Sequence, residues 1–487
     1  LERCLGGSAP GGKSDIAAPH SAATLQWLQE SPMTTLDALD ASAPAALFES
    51  RRPALSVIAA LLRNPLQAMP PEVYRERLVL ARTGKRTSLY VCDPALIQEA
   101  LTKQAGKLGK GDLIRKVLGP AIGEGLLTAD GAHWRWQRQA VASGFQHERL
   151  LGFLPAMIAA AEATRERWQA ASAPLDIGHE MMRTTFDIIV ETMLSGAQAL
   201  DVGKVEQAIS DYLEPSNFMF IYNLFGAPDW LPYPGRGKAR ASTRYLRESL
   251  TGLVAQRRAQ APEHGDLLDM LLASADPETD RAMSDAEIVD NLLTFVTAGH
   301  ETTALGLAWT FHLLAQNRDW EARVLDEIAG VTGGGPLRPA HIADLPLTKA
   351  VFQEAMRLYP PAPVITRQVE APFALGGVPL EPGMVLYVPI HAVHRHERLW
   401  ERPDVFDPSR FMGDAARGRH RYAYLPFGAG PRICIGSVFA TMEAVAILAV
   451  LLRGLRLDPL PGKAPEPTLK ITLRPKQPLL MSASPRG

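Results

Sequence analysis

The sequence predicts a mainly α protein with a minor β region. Three observations carry that expectation. Apolar residues recur at helical spacing over most of the chain from about Arg51 onward, one such stretch runs from about Ser284 to Gln316, and strand-like alternation is confined to short pieces. Hydrophobic residues make up 46% of the 487 positions and charged residues 21%, enough apolar material for a core that needs no disulfide staples. Lys and Arg number 51 against 52 Asp and Glu, a formal charge of −1, which excludes a protein that grips nucleic acid or anionic membrane along its whole surface. Three cysteines, Cys4, Cys92 and Cys434, are too few for a disulfide framework or a four-thiolate metal site.

Residues 1–45, rich in Ala, Ser, Gly and Pro, read as a flexible leader that is partly processed or added sequence, since the chain begins at Leu1. Gly7 to Ser14 fits a phosphate-loop pattern, G-x-x-x-x-G-K-S, but lacks the preceding buried strand that would aim backbone N–H groups at phosphates. Residues 46–487 read as a single domain. Leu150–Arg167 and Met181–Leu194 carry helical periodicity. The long stretch opens with a capping box, Ser284 and Glu287, and would reach about 45–50 Å, enough to traverse a domain. Its apolar residues occupy nearly every face, which predicts a central, buried helix. The clearest strands lie in Phe373–Ile390, punctuated by Gly376-Gly377 and Pro382-Gly383. No membrane span is expected: Pro53–Leu62 is too short, and Ile433–Leu452 carries Glu443 near its middle.

The segment Phe427-Gly428-Ala429-Gly430-Pro431-Arg432-Ile433-Cys434-Ile435-Gly436 carries the chemistry. Cys434 falls where a Gly/Pro-rich loop runs into an apolar helix, and backbone N–H groups at such a junction favour thiolate over thiol. Gly430 and Gly436 remove side chains where the backbone must pass close to something large and flat. Arg432 offers a permanent fork of donors to a carboxylate. The segment resembles the heme-binding loop of the cytochrome P-450 family, F-x-x-G-x-R-x-C-x-G, a match expected by chance in roughly one chain of this length in ten thousand. The resemblance covers about residues 50–487. It implies the P-450 fold, with heme b between the long central helix and the Cys-bearing helix, Cys434 as the iron ligand, and Phe427, Gly428, Arg432 and Gly436 as parts of the heme cradle.

Further segments match the same family in order. Glu354-Ala355-Met356-Arg357 is similar to its E-x-x-R pair; the spacing recurs elsewhere, at Glu162/Arg165 for example, so its position before Leu358-Tyr359-Pro360-Pro361 and upstream of Cys434 singles it out. Asp407-Pro408-Ser409-Arg410-Phe411 resembles the P-x-R-F segment, which implies a buried structural triad of Glu354, Arg357 and Arg410. Ala298-Gly299-His300-Glu301-Thr302-Thr303 matches [A/G]-G-x-[D/E]-T. That motif implies a local distortion beside the heme that admits dioxygen and water, with Ala298 and Gly299 against the cofactor, Thr302 hydrogen-bonding the activated oxygen and Glu301 helping to deliver protons. A plainer reading has the threonines bonding back to their own helix and Gly299 permitting close packing. Trp134 and Arg138 resemble a W-x-x-x-R pair, and with Arg367 and Arg432 they would hold the heme propionates. His391, His394 and His396 invite a metal, but they have no carboxylate or thiolate companion and match a structural H-R-x-x-x-x-W stretch ending at Trp400.

The resemblance therefore implies a heme-thiolate monooxygenase that takes O2 and hydroxylates or epoxidises a hydrophobic compound such as a fatty acid, terpene or steroid. Its substrate walls would be the loop near Leu113–Leu126, the aromatic segment Ser216–Tyr233 (Phe218, Phe220, Tyr222, Phe225 and Trp230), Phe295–Thr302 and Val364–Ile365. Only 53 residues follow Cys434, so a fused reductase domain is not expected. Electrons would come from NAD(P)H through a ferredoxin or flavodoxin-type donor and its reductase. Five arginines from Arg410 to Arg432 (410, 417, 419, 421, 432) against one acid, Asp414, give a local excess of +4 that suits an acidic donor. A soluble, cytoplasmic monomer without a nucleic-acid partner is expected. Two rivals stay open: a heme-thiolate isomerase or peroxygenase that uses peroxide without a redox partner, and a heme-based sensor. The acid–threonine pair at Glu301-Thr302 argues against the first, and the lack of a visible signalling module against the second.

Overall fold

The computed structural model describes residues 47–486 except 84–85, 196–200, 216–217, 220–221, 223–227, 229, 260–264, 276–280 and 463. The leader, with Cys4 and the phosphate-loop match, lies outside the described residues, as do Phe220 and Phe225. The helices that frame the site are α1 (Asp112–Ile122), α2 (Gly131–Ala142), α3 (His147–Gln169), α4 (Ile177–Leu194), α5 (Arg236–Arg258), α6 (Asp285–Gln316), α7 (Pro346–Leu358) and α8 (Ser437–Gly454).

Helix α6 is the axis of the molecule. Its capping box forms: Ser284 Oγ accepts from Glu287 N–H at 3.3 Å, while the Glu287 carboxylate accepts from Ser284 N–H at 2.9 Å. Such a cap is worth about 1 kcal/mol. The 32 residues of α6 span about 48 Å. Between Ile288 and Leu314 every residue is buried except Asp290, Thr297, Ala298, Gly299 and Thr302. Helix α4 packs along one side of α6, where a Cβ on Gly299 would lie 2.8 Å from Ile189 Cδ1 and Thr185 Oγ1 donates to His300 O at 2.9 Å. The Gly299 position thus serves close helix packing, as the plainer reading holds. Helix α8 packs against α3 and α7, and one large apolar cluster joins these helices.

A second, smaller apolar cluster lies under a six-stranded sheet. Its strands are β1 (Leu47–Arg51), β2 (Leu78–Thr83), β3 (Arg86–Val91), β4 (Leu108–Gly109), β5 (Ile365–Val369) and β6 (Val385–Val388), in the order β1-β2-β3-β6-β5-β4. The β2 and β3 strands pair antiparallel with Leu78 opposite Val91; β3 and β6 run parallel with Ser88 opposite Val385; β5 and β6 run antiparallel with Ile365 opposite Val388. Phe373–Ile390 divides at the expected glycines into Phe373–Leu375, Val378–Leu380 and β6, with φ of +56° at Gly376, +82° at Gly377 and +91° at Gly383. The strands β1–β3 were not expected. In β1 four of five residues are exposed, and β2 opens with three consecutive buried residues, Leu78-Val79-Leu80, so neither shows a clean alternation.

Two boundaries differ from the sequence reading. Residues 112–122 form α1 rather than a loop. Helix α8 begins at Ser437, beyond Cys434, because Gly430–Arg432 forms a separate 3-10 turn and the Cys434 N–H donates back to Phe427 O at 2.9 Å. Among the described residues only α8 is long and apolar enough to cross a membrane, and most of it is packed inside the fold.

Candidate active site

The loop that carries Cys434 is fixed from behind. His394 Nε2 accepts the Leu425 N–H at 2.7 Å, and the imidazole stacks on Tyr424 at 5.1 Å. Gly428 N–H then donates to Leu425 O, and Ile433 N–H to Gly430 O, both at 3.0 Å. Gly428 and Gly430 sit at φ +71°, a conformation that favours glycine. A Cβ on Gly430 would collide with the Leu101 carbonyl, so this glycine clears protein backbone, not a flat group as the sequence suggested. At Gly436 a Cβ would meet only Phe145, at 3.9 Å, which leaves room on that side.

The Cys434 thiol is exposed, yet protein encloses it, so it opens onto an interior space rather than the outer surface. Burial pushes its pKa up, opposed by the Gly436 N–H and by the Arg138 guanidinium of α2. The net direction is upward, which corrects the expectation that the loop–helix junction alone would favour thiolate. A cation at sulfur would reverse it.

On α6 the accessible patch is Thr297, Ala298, Gly299 and Thr302, within an otherwise buried helix. Thr302 Oγ1 donates to Ala298 O at 2.8 Å, and α6 is helical without a break, so the expected distortion is absent. Glu301 is buried and turned to the hairpin formed by Pro467–Leu469 and Leu473–Pro475. Its carboxylate accepts from Thr472 Oγ1 at 2.5 Å and is ion-paired with Arg474. The acid of the motif is therefore held by the C-terminal hairpin and is not free to relay protons in this arrangement. Nearby, Glu443 of α8 is buried in apolar surroundings that push its pKa up to about 8; the Thr303 hydroxyl bonds to it, and its Oε1 has no partner among the described residues. The sequence reading used Glu443 only as an obstacle to a membrane span. A lone acid in an apolar run was the signal for a buried, neutral carboxyl.

A cluster of cations forms one wall. The Arg432 guanidinium lies 4.2 Å over the Trp134 ring, donates to Ala129 O at 3.0 Å and is ion-paired with Asp130. Arg115 pairs with the same carboxylate at 2.8 Å. Arg367, buried on β5, gives one N–H to Thr366 O at 2.8 Å. Burial and the neighbouring Arg432 lower Arg367 to about 10, and burial plus Arg367 and Arg432 lower Lys110 to about 7. Crowded cations at this wall favour an anion. Lys110 and Asp130 belong to the cluster although neither falls in a recognised motif, and contacts across the fold were needed to find them.

Behind the loop, Glu354 and Arg357 form a fully buried bidentate pair at 2.7 and 2.8 Å. Arg357 also donates to His394 O, Pro403 O and Val405 O, and Asp407 N–H donates to Glu354 at 2.9 Å. Arg410 approaches Glu354 at 3.5 Å, the loosest member of the triad. The other imidazoles of this region diverge, His391 to Tyr74 OH at 2.9 Å and His396 to Glu76 O at 3.3 Å. The expected arginine patch does not assemble as one surface. Arg419 lies over Trp400 and Phe411, at 4.4 and 4.6 Å, Arg410 belongs to the triad, and Arg432 faces Asp130. Only Arg417, paired with Asp414, and Arg421 stay exposed.

Comparisons with known proteins agree with this architecture. The family model for cytochrome P450 matches residues 72–482. Cyclooctatin synthase of Streptomyces melanosporofaciens is 33% identical over 88% of this chain and 92% of its own length. Pentalenene oxygenase of Streptomyces avermitilis is 32% identical over 85% and 91%. A crystal structure of the cytochrome P450DA heme domain superposes with a TM-score of 0.75 at 24% identity, covering 84% of this chain and 90% of that one, which shows a shared fold. The chain belongs to the cytochrome P450 family.

Proposed function

We propose that this P450 monooxygenase oxygenates a hydrophobic substrate with electrons supplied by a separate protein, and that Cys434 holds the heme iron. Heme and dioxygen use come with the family. Heme, when bound through a thiolate, supplies dioxygen activation and oxygen transfer. The observation that carries the reading is the Cys434 thiol: accessible, enclosed by protein, and flanked by Arg138 and the Gly436 N–H. The donor set fits the group, since a soft sulfur ligand suits iron and the cations at Lys110, Arg367 and Arg432 suit two carboxylates.

The remaining roles fall to the chain's own side chains. Trp134 supports the Arg432 guanidinium from below, and Arg138 balances charge at Cys434 Sγ. Thr302 can offer its hydroxyl proton to a guest at the accessible α6 patch by giving up its bond to Ala298 O. Glu301 can move a proton only after its carboxylate parts from Arg474 and Thr472. Relatives named for pentalenene and cyclooctat-9-en-7-ol support a terpene-sized apolar substrate, with a fatty acid or steroid-like compound in the same class. A ferredoxin or flavodoxin-type donor, reduced from NAD(P)H by its reductase, fits the two arginines that stay exposed in the segment leading to the Cys434 loop, Arg417 and Arg421.

The test is turnover of a terpene and fatty-acid panel by the holoenzyme under two regimes: NADPH with a ferredoxin and its reductase, and hydrogen peroxide alone. Oxygenated product that needs the donor chain is expected. Product formed with peroxide alone would point to the peroxygenase reading, and rearrangement of an organic hydroperoxide to the isomerase.

A further inference from the structure

A cleft of about 1210 Å³ opens between α1, α5 and the sheet end at β5 and β6. Helix α5 presents Arg236, Arg240, Arg244 and Arg247 to it, a row at intervals of three and four residues and hence on one face. A flanking face of α5, with Leu246, Leu250 and Leu253, is buried in the core. Like charges one turn apart on a helix cost a few tenths of a kcal/mol per pair, so the row runs against the stability of α5 itself. Two members are accounted for. Arg247 pairs with Asp290 at 2.7 Å, and Arg236 donates to Trp230 O and Leu231 O at 2.9 and 3.2 Å. Arg240 and Arg244 are exposed to the cleft and have no carboxylate partner among the described residues.

The rest of the lining sharpens the point. Lys116 of α1 adds a cation across the gap, and the inner end is marked by Lys110 and Arg367. The carboxylates of the lining, Asp112 and Glu248, are outnumbered. Leu113, Met219, Leu231 and Met384 give the cleft apolar surface between its charged ends. A concave wall with an apolar body and a pair of unmatched guanidinium forks fits an elongated apolar molecule that ends in an anion, because guanidinium binds carboxylate through two parallel hydrogen bonds.

We infer that Arg240 and Arg244 form a recognition site for the carboxylate of an amphiphilic substrate, whose apolar chain runs inward past Leu113. This rests on the monooxygenase reading above and narrows its substrate class from hydrophobic compounds in general to apolar acids. Neutral terpenes would leave the two guanidinium groups unmatched.

The test is a titration of the holoenzyme with dodecanoate and with its methyl ester, read by the heme spin-state band and, independently, by calorimetry. The acid is expected to bind at least about tenfold tighter than the ester. In the double variant R240E/R244E that preference should vanish while ester affinity stays within about twofold; both positions are exposed, so the fold tolerates the change. The preference should also fall as salt is raised. Equal affinities in the parent protein, a preference that survives in the double variant, or no binding of either compound would overturn the inference. A heme spectrum without thiolate character alongside an intact calorimetric preference for the acid would count against the function reading alone and leave the carboxylate site standing.

Discussion

The same Glu–Arg pair, three residues apart on a helix, occurs in two regions with opposite consequences. At Glu162/Arg165 on α3 the partners meet at 2.8 Å with about a quarter of each side chain exposed (26% and 25%). At Glu354/Arg357 on α7 the pair meets at 2.7 Å with both side chains at 0%, and the guanidinium also ties down three carbonyls of the segment that leads to the Cys434 loop. Identical spacing thus gives a partly exposed pair in one place and the fully buried anchor of the candidate site in the other. Burial, not the motif, sets the energy. The contrast extends to the whole site. The cysteine side is over-determined by buried hydrogen bonds, whereas the cleft side is open and keeps unmatched charge.

The largest expected effect breaks that comparison directly. Arg357→Ala leaves Glu354 buried without its partner and should cost about 3–5 kcal/mol, read as a lowered denaturant midpoint with loss of bound heme. Arg165→Ala, at a pair that keeps some contact with solvent, should cost only about 1 kcal/mol in the same assay. Equal losses would mean that burial does not separate the two pairs. Next in size is Glu301→Gln. The amide can still accept from Thr472, so the fold should hold while turnover falls by about 10²-fold, with substrate binding unchanged. Turnover kept at the parent rate would remove Glu301 from the proton path.

Glu443 sharpens the comparison from within the core. Its carboxyl titrates at about 8 in the fold against an ordinary value of 4.5. Between those values the folded state keeps a proton that the unfolded chain has released, so stability falls as pH rises through the window and levels off above it. Glu443→Gln should flatten that fall, and a pH series of denaturant midpoints in both proteins checks it. The smallest effect is expected at the surface. Arg421→Glu should slow reduction by a ferredoxin about two- to threefold at low salt and have no effect at high salt.

Much of this was legible in the sequence because it depends on local chemistry. The capping box at Ser284 and Glu287 and the glycine turns in Phe373–Ile390 are short-range patterns with a physical reason at each position, while the roles of Glu354, Arg357, Arg410 and Cys434 were legible through the family resemblance. What the sequence hid depends on distant parts of the chain. Arg474 lies 173 positions from Glu301, and Asp130 lies 302 from Arg432, so no spacing rule links them. The arginine patch failed for a related reason. Charge counted along the chain ignores that Arg419 is stacked on aromatic rings while Arg410 and Arg432 turn inward. Strands β1 and β2 escaped because exposed or doubly buried strands do not alternate.

The claim beneath all of this is that Cys434 sulfur is the iron ligand. The carbon-monoxide difference spectrum of the reduced, purified protein tests it most directly, recorded for the parent chain and for Cys434→Ser. The parent should show the strongly red-shifted Soret band of a thiolate–iron–carbonyl unit, and the serine variant should lose it. A serine variant with the same red-shifted band, or a parent chain that binds heme without one, would contradict the account.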